Sequence, residues 1–179
     1  MTTGVVFFDV DGTLVPGISS GQHLANRLGH AEQCRQAEVG YDSGLLTNQQ
    51  ASIIDARGWA GWTPADVRGF LDDLPLVAGI PETIAWCRAN DLLPVLATLA
   101  WEPVGAYLCE RFGFARTCGP RLEIIEGRFS GEVAEHTDEY GKRDYAVRVA
   151  AHVRAEGGDL RTVLPHVSAW RGASGSLAG

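Results

Sequence analysis

An apolar run near the N-terminus ends in two closely spaced acidic residues, and this feature constrains the fold most. Gly4-Val-Val-Phe-Phe is β-branched or aromatic on both faces, which is typical of a strand buried within a parallel sheet. Asp9 and Asp11 follow at the carboxyl end of that strand. Because two neighbouring carboxylates repel each other and lose hydration, the pattern predicts a cation between them. An oxygen-liking Mg²⁺ is the obvious candidate.

The residues after this strand predict helices rather than further strands. Apolar residues recur at helical spacing over residues 19–35, and Ser20 can cap the start of that helix. Thr47 can cap a second helix, and Thr63 stands before a proline that suits the first turn of a third. Residues 18–74 are therefore predicted to form a helical insertion.

From residue 75 onward, strands and helices alternate. This pattern predicts an α/β protein whose core is three-layered and doubly wound (Rossmann-like), over residues 1–17 and 75–179. Residues 18–74 form a helical cap inserted into that core. The predicted elements after the cap are a helix from Pro81, a strand over 92–97 before Thr98, a helix over 104–112, a hairpin of strands 122–125 and 128–133, and a helix over 142–153.

Charge and cysteine usage limit the possible partners. The formal net charge of −7, without any block of Lys and Arg, disfavours nucleic acid. The dispersed Cys34, Cys87, Cys109 and Cys118 are predicted to be buried free thiols. The apolar run 5–8 is too short for a signal segment, and no window approaches a membrane span. We therefore expect a cytoplasmic protein that does not bind membranes, as a monomer or homodimer.

Three sequence features together resemble the haloacid dehalogenase (HAD) superfamily. Asp9-Val-Asp-Gly-Thr-Leu-Val15 resembles the first family motif, DxDG[TS]L[VT]. Thr98 after a buried strand resembles the second motif, and Lys142 at the opening of a helix resembles the third. The insertion directly after the first motif, and the hairpin before Lys142, resemble the phosphoserine-phosphatase-like branch with a helical C1-type cap. The likeness covers roughly residues 5–153.

The resemblance implies a set of catalytic roles. Asp9 would attack phosphorus to form an aspartyl-phosphate, and Asp11 would serve as the general acid and base. Positive charge and hydrogen bonds would stabilise the phosphoryl oxygens. The implied phosphate-binding residues are Gly12, Thr13, Thr98, Leu99 and Lys142, and the implied Mg²⁺ ligands are Asp9, the Val10 carbonyl, Asp11 and Asp159.

The chain departs from the family at its fourth motif, which supplies further metal carboxylates. Gly158-Asp159 matches the start of that motif, but Val163 stands where a second aspartate is expected. The few residues before Gly158 are polar and glycine-rich, so they do not resemble a central strand. Two explanations remain open: a genuine shortened variant with Asp159 still reaching the metal, or an altered or truncated tail that lacks the last core strand.

The cap does not match a phosphoserine site. Ile18 stands where the family's phosphoserine phosphatases hold a glutamate for the substrate amine, and Asp55 stands where they hold an arginine for the carboxylate. An acid there would repel a carboxylate. Asp55 either binds a hydroxyl or an amine, or faces solvent.

The histidines and tryptophans are assigned no catalytic role. The five histidines have no ligand-like or triad spacing and are interpreted as surface or cap residues, while the tryptophans more often pack helices than stack on substrate. The residues concerned are His23, His30, His136, His152 and His166, and Trp59, Trp62 and Trp101.

The resemblance predicts a Mg²⁺-dependent phosphohydrolase that acts on a small phosphorylated metabolite other than phosphoserine. Two alternatives stay open. The chain could transfer the phosphoryl group to an acceptor other than water, or it could be a noncatalytic or impaired HAD-like protein.

Overall fold

A computed structural model describes residues 2–156, so the segment around Gly158-Asp159, where the sequence left a last core strand in question, lies outside the described residues. The α/β character predicted from the sequence is confirmed. In chain order the elements are β1 Gly4–Phe8, α1 Ser20–Leu28, α2 Ala31–Asp42, α3 Asn48–Arg57, α4 Pro64–Phe70, α5 Ile80–Ala89, β2 Leu92–Leu96, α6 Glu102–Phe112, β3 Arg121–Ile125, β4 Arg128–Glu135 and α7 Glu139–Ala155.

The two parallel strands β1 and β2 place the candidate site residues at one edge of the sheet. They pair from Gly4 opposite Leu92 to Phe8 opposite Leu96. The Ala97 N–H extends the pairing by donating to the Phe8 carbonyl at 2.8 Å. Because the strands are parallel and in register, the residues that follow Phe8 and Leu96 emerge at the same edge of the sheet.

Helices α1 to α4, the first four of the five helices between β1 and β2, are called the cap below, and two of their starts were predicted correctly. The Thr47 and Thr63 side chains both accept hydrogen bonds from the third residue of the helices they precede. In each case that third residue, Gln50 or Asp66, bonds back to the backbone of the capping residue. These capping boxes satisfy backbone donors that the helix itself leaves unpaired.

The single helix predicted over residues 19–35 is wrong, because the structure has two helices there. Gly29 ends α1 in the left-handed region at φ 90°, a conformation that glycine adopts without strain. The second helix starts at Ala31 and continues to Asp42, past the predicted end. The N-capping residue of α1 is also one position earlier than predicted, since the Ser19 rather than the Ser20 side chain accepts from Gln22 N.

The predicted hairpin of β3 and β4 is confirmed and packs against the cap. Gly61 N donates to the Phe129 carbonyl at 2.9 Å, and Phe129 N donates to the Trp62 carbonyl at 2.9 Å. The Phe129 ring also meets the buried Trp59 ring edge-on, with centroids 5.3 Å apart. The hairpin is therefore joined to the loop between α3 and α4 by backbone hydrogen bonds as well as by aromatic packing.

The last described helix, α7, covers the parallel sheet. Val149 and Val153 pack with Val5 of β1 and Val95 of β2 in one buried cluster. The Asp138 side chain caps the helix by accepting from Gly141 N at 2.8 Å, so α7 begins three residues before Lys142. This arrangement places Lys142 in the first turn of α7, close to the strand ends.

Cap and core share one continuous apolar cluster. It includes Leu24 and Trp59 from the cap together with Leu96, Trp101 and Val104 from the core. Trp59 and Trp101 are both buried and meet edge-on, as expected for packing aromatics. None of the helices within residues 2–156 has the length and apolar character that a membrane span requires.

The four cysteines are free, as predicted, but only two of them are buried. Cys34 and Cys87 are buried, whereas Cys109 and Cys118 are partly exposed. Burial raises the pKa of the Cys34 thiol, and the neighbouring Asp55 and Glu38 carboxylates raise it further.

Candidate active site

Asp9 and Lys142 form the central contact at the strand ends. Lys142 Nζ lies 2.7 Å from Asp9 Oδ2, and both side chains are mostly buried, at 16% and 21% exposed. The other oxygen, Asp9 Oδ1, accepts from the Val10 N–H at 2.8 Å. Asp9 therefore has a cationic partner in the protein itself, the ammonium of a lysine 133 residues away in sequence.

Asp11 is fixed by the start of α1. Its Oδ1 accepts from the Ser20 N–H at 2.6 Å, a donor that a helix start leaves unpaired. Burial raises the pKa of Asp11, while the Ser20 N–H opposes this rise and the Asp9 carboxylate adds to it. The chain turns between the two acids and α1, with Gly12 in the left-handed region at φ 76°.

Val10 does not fit its expected role as a metal ligand. Its carbonyl accepts hydrogen bonds from the N–H groups of Thr13, Leu14 and Val15, at 3.2, 2.8 and 2.9 Å. Because these three donors already use the carbonyl lone pairs, this oxygen has no free capacity for a cation. The neighbouring Asp11 carbonyl accepts no backbone hydrogen bond from residues 2–156.

Thr98 lies just beyond β2 at the same edge of the sheet as Asp9. It is 1% exposed, and its Oγ1 accepts from the Ala100 N–H at 3.0 Å. The Cys118 thiol contacts the Thr98 backbone at 3.4 Å from both N and O. Asp9, Asp11, Thr98 and Lys142 are called the strand-end cluster below.

The other expected phosphate-binding residues differ in position. Gly12 and Thr13 lie on the exposed turn after Asp11, where the Thr13 N–H donates to the Val10 carbonyl. Leu99 lines a cavity next to the cluster. Asp159 lies outside the described residues.

The donor atoms at the strand ends fit a hard divalent cation. Two carboxylates and an unused backbone carbonyl are oxygen ligands of the kind Mg²⁺ prefers, and Mg²⁺ commonly keeps several waters besides one or two protein carboxylates. Within residues 2–156, however, no group of three or more His, Cys, Asp or Glu side chains is placed to hold a metal. Of the two aspartates nearest Lys142 in sequence, Asp138 accepts from Gly141 N at the start of α7, and Asp144 is exposed on that helix.

A cavity of about 130 Å³ opens beside Asp11, between the cap and the core. We call it the cap cavity. Helices α1, α2 and α3 form one wall, and the loop after β2 forms the other. Its lining residues are Asp11, Ser19, Gly21, Cys34, Ala37, Glu38, Ala51, Ser52, Asp55, Leu99, Ala100, Trp101 and Pro120.

Asp55 is buried in a hydrogen-bond network, so of the two alternatives for this residue, the one in which it faces solvent is wrong. His30 Nε2 lies 2.7 Å from Asp55 Oδ1, and Trp101 Nε1 donates to Asp55 Oδ2 at 2.6 Å. His30 is likewise a buried cap residue. This network joins two cap helices to the loop that carries Thr98.

Glu38 is a site residue that sequence reasoning missed. It lines the cap cavity, is half-buried, and accepts a hydrogen bond from the Ser19 hydroxyl. Burial raises the pKa of Glu38, and the nearby Asp11, Asp55 and Asp42 carboxylates add to that rise while Ser19 opposes it. A signal was present, because Glu38 follows the buried Cys34 and Ala37 on one face of α2.

Comparison with solved structures finds the same fold. A HAD-family hydrolase from Salmonella enterica subsp. enterica serovar Typhi aligns with TM-score 0.78 and 16% identity, covering 89% of this chain and 55% of its own. A probable phosphoserine phosphatase from Vibrio cholerae aligns with TM-score 0.69 and 19% identity, covering 84% and 47%. A phosphoserine phosphatase solved as a phospho-aspartyl intermediate analogue aligns with TM-score 0.73 and 18% identity, covering 89% and 77%.

The chain spans about half the length of the first two of these proteins. A comparison with curated protein sequences finds no match. The sequence model of the haloacid dehalogenase-like hydrolases matches residues 6–164, which is most of the chain. The protein therefore belongs to the haloacid dehalogenase-like hydrolase family.

Proposed function

We propose that this protein hydrolyses small phosphate monoesters through a phosphorylated Asp9. The observation that carries the proposal is the 2.7 Å contact between Asp9 and Lys142 at the end of the parallel sheet, with Thr98 at the same edge. A carboxylate beside a fixed ammonium suits attack on a phosphate dianion, because the ammonium offsets repulsion between the two anions.

In the first step an Asp9 carboxylate oxygen forms a bond to phosphorus, and the bond from phosphorus to the ester oxygen breaks. Asp11 gives its proton to the departing oxygen, which leaves as an alcohol. In the second step Asp11 takes a proton from water, whose oxygen attacks phosphorus. The bond between phosphorus and Asp9 breaks, so inorganic phosphate leaves and both acids return to their initial state.

Lys142 and Thr98 stabilise the phosphoryl oxygens during both steps. The Lys142 ammonium is held by Asp9 and by the first turn of α7, so it needs little reorganisation as charge develops. The Thr98 hydroxyl accepts from Ala100 N–H, which leaves its proton available for a phosphoryl oxygen.

Mg²⁺ would be held by the Asp9 carboxylate and by the Asp11 carbonyl rather than by the Val10 carbonyl, which leaves the Asp11 side chain for proton transfer. When bound, it supplies charge that neutralises the phosphoryl oxygens. The phosphoserine phosphatase solved as a phospho-aspartyl intermediate analogue supports both the fold and the nucleophile proposed here.

Phosphoserine is not the substrate we propose. Among residues 2–156, no Lys or Arg lines the cap cavity to pair with a substrate carboxylate. Asp11, Glu38 and Asp55 would instead repel it.

The proposal is tested by Mg²⁺-dependent hydrolysis of an aryl phosphate. Asp9→Asn removes the nucleophile, and we expect the rate to fall by at least about a thousandfold. Asp42→Asn is the matched control, because Asp42 is exposed at the end of α2, and it should keep the original rate. Equal hydrolysis by Asp9→Asn and the unchanged protein would overturn the proposal.

A second candidate is a HAD-like protein that binds phosphate without turnover. One observation favours it: within residues 2–156 no third acidic side chain joins Asp9 and Asp11. In that case the unchanged protein would bind inorganic phosphate but would hydrolyse the aryl phosphate no faster than Asp9→Asn does.

A further inference from the structure

We propose that the cap cavity selects phosphate esters whose leaving group carries an ammonium, with Glu38 as the residue that binds it. This inference rests on the proposed function, since it takes the cap cavity as the pocket for the leaving group. It extends that function from phosphate esters in general to one class of substrate.

The first argument is the charge of the cap cavity. Its lining includes three carboxylates, those of Asp11, Glu38 and Asp55, and no Lys, Arg or His among the described residues that line it. A small, partly dry site with acidic walls favours a cationic guest and disfavours an anionic one.

The second argument is that the three carboxylates are not equivalent. Both oxygens of Asp55 already have close donors, Nε2 of His30 and Nε1 of Trp101. Asp11 lies next to Asp9, where the ester oxygen departs. Glu38 is bound through Oε1 to the neutral Ser19 hydroxyl, and no salt bridge joins it to a cation within residues 2–156.

The third argument is the connection between Glu38 and the reacting end. Ser19 bonds to Glu38, and the next residue, Ser20, donates its N–H to Asp11. Glu38 and Asp11 are therefore tied to consecutive residues at the start of α1. An ester with its leaving oxygen at Asp11 needs only a short chain to bring an ammonium to Glu38.

The cavity volume agrees with a short leaving group. About 130 Å³ is close to the roughly 150 Å³ of an engineered protein cavity that accommodates benzene. A two-carbon or three-carbon ammonium chain falls within this size, whereas a nucleoside does not.

Three esters of matched length test the preference. They are 2-aminoethyl phosphate, 2-hydroxyethyl phosphate and carboxymethyl phosphate, which present an ammonium, a hydroxyl and a carboxylate at the same distance from phosphorus. We expect kcat/KM to be about tenfold or more higher for the ammonium ester than for the hydroxyl ester, as for one charge-assisted hydrogen bond. The carboxylate ester should be the poorest of the three.

Glu38→Gln should remove this preference, so that the ratio of kcat/KM between the ammonium ester and the hydroxyl ester falls to about one. Asp42→Asn is the control, since it removes a charge one turn further along α2 at an exposed position outside the cavity lining. If both variants reduce the preference equally, the effect is general electrostatics and the assignment to Glu38 is wrong.

A binding measurement separates this inference from the proposed function. In Asp9→Asn with Mg²⁺, calorimetry should give a Kd for 2-aminoethyl phosphate about tenfold below that for 2-hydroxyethyl phosphate. Equal Kd values overturn the inference even if aryl phosphate is hydrolysed. Conversely, selective binding without any aryl phosphate hydrolysis would leave the inference standing and defeat the proposed function.

Discussion

The strand-end cluster and the cap cavity are adjacent, share Asp11, and differ sharply in charge. In the cluster, the mostly buried Lys142 ammonium lies against the Asp9 carboxylate. In the cap cavity, carboxylates are paired with neutral donors or with a histidine. The two regions are therefore suited to opposite charges, a phosphate dianion at the strand ends and a cation under the cap.

This difference shows how one fold can separate chemistry from selectivity. The residues proposed to contact the phosphate follow the core strands or lie in α7, whereas most of the cavity wall comes from cap helices. Changes in the cap can thus alter the accepted leaving group without moving Asp9 or Lys142.

Removal of divalent cations should have the largest effect on the strand-end cluster. Without Mg²⁺ the phosphate dianion would face Asp9 with only Lys142 to balance it, so we expect hydrolysis of an aryl phosphate to fall on the order of a thousandfold. The measurement is the rate after chelation and after readdition of Mg²⁺. Full activity in the chelated protein would contradict the assignment of the metal site.

Lys142→Met should reduce kcat/KM for an aryl phosphate by about a hundredfold, because it removes the positive charge of the strand-end cluster. Arg143→Met is the control, since Arg143 is the next residue of α7 and is exposed. We expect the control to retain its activity. A loss of similar size in both variants would show that the overall charge of α7 matters rather than the contact with Asp9.

Trp101→Phe tests how the wall of the cap cavity is held together. It removes the N–H that donates to Asp55, so we expect the free energy of unfolding, measured in urea, to fall by about 1–3 kcal/mol. This loss is in addition to the loss caused by the smaller ring. Trp59→Phe is the matched control, because the Trp59 ring is buried nearby and its Nε1 has no hydrogen-bond partner in the described residues. Equal losses would show that the bond to Asp55 adds no stability.

Thr63→Ala should have the smallest effect, on a part of the cap outside both regions. It removes the N-capping side chain of α4, so we expect the free energy of unfolding to fall by about 1 kcal/mol. The ester preference should stay unchanged. Thr83→Ala is the comparison, because Thr83 is an exposed interior residue of α5 and alanine is the better helix former there. A change in ester preference with Thr63→Ala would mean that α4 also influences the cavity.

The strand-end cluster was predictable because its information is local. An apolar strand, two acids and a glycine lie within nine residues, and the parallel topology then brings Thr98 and Lys142 to the same edge. The helix and hairpin starts were predictable for the same reason, since Thr47, Thr63 and the turn at Glu126-Gly127 act on their immediate neighbours.

The cap cavity was not predictable, because its features depend on distant contacts. His30 and Asp55 are 25 residues apart, and Asp55 and Trp101 are 46 apart. The break at Gly29 was missed because the apolar spacing continues across it, although one left-handed residue is enough to start a new helix axis. The Val10 carbonyl was assigned to the metal because the hydrogen bonds that occupy it form only once the turn is folded.

The backbone bonds between the hairpin and the cap have a mechanical consequence. An outward swing of the cap must either break the bonds that join Gly61 and Trp62 to Phe129, or carry the hairpin with it. The hairpin is followed after residues 136–138 by α7, whose first turn holds the ammonium at Asp9. A cap movement that kept these bonds would therefore also move the segment that leads to Lys142, and with it the ammonium beside Asp9.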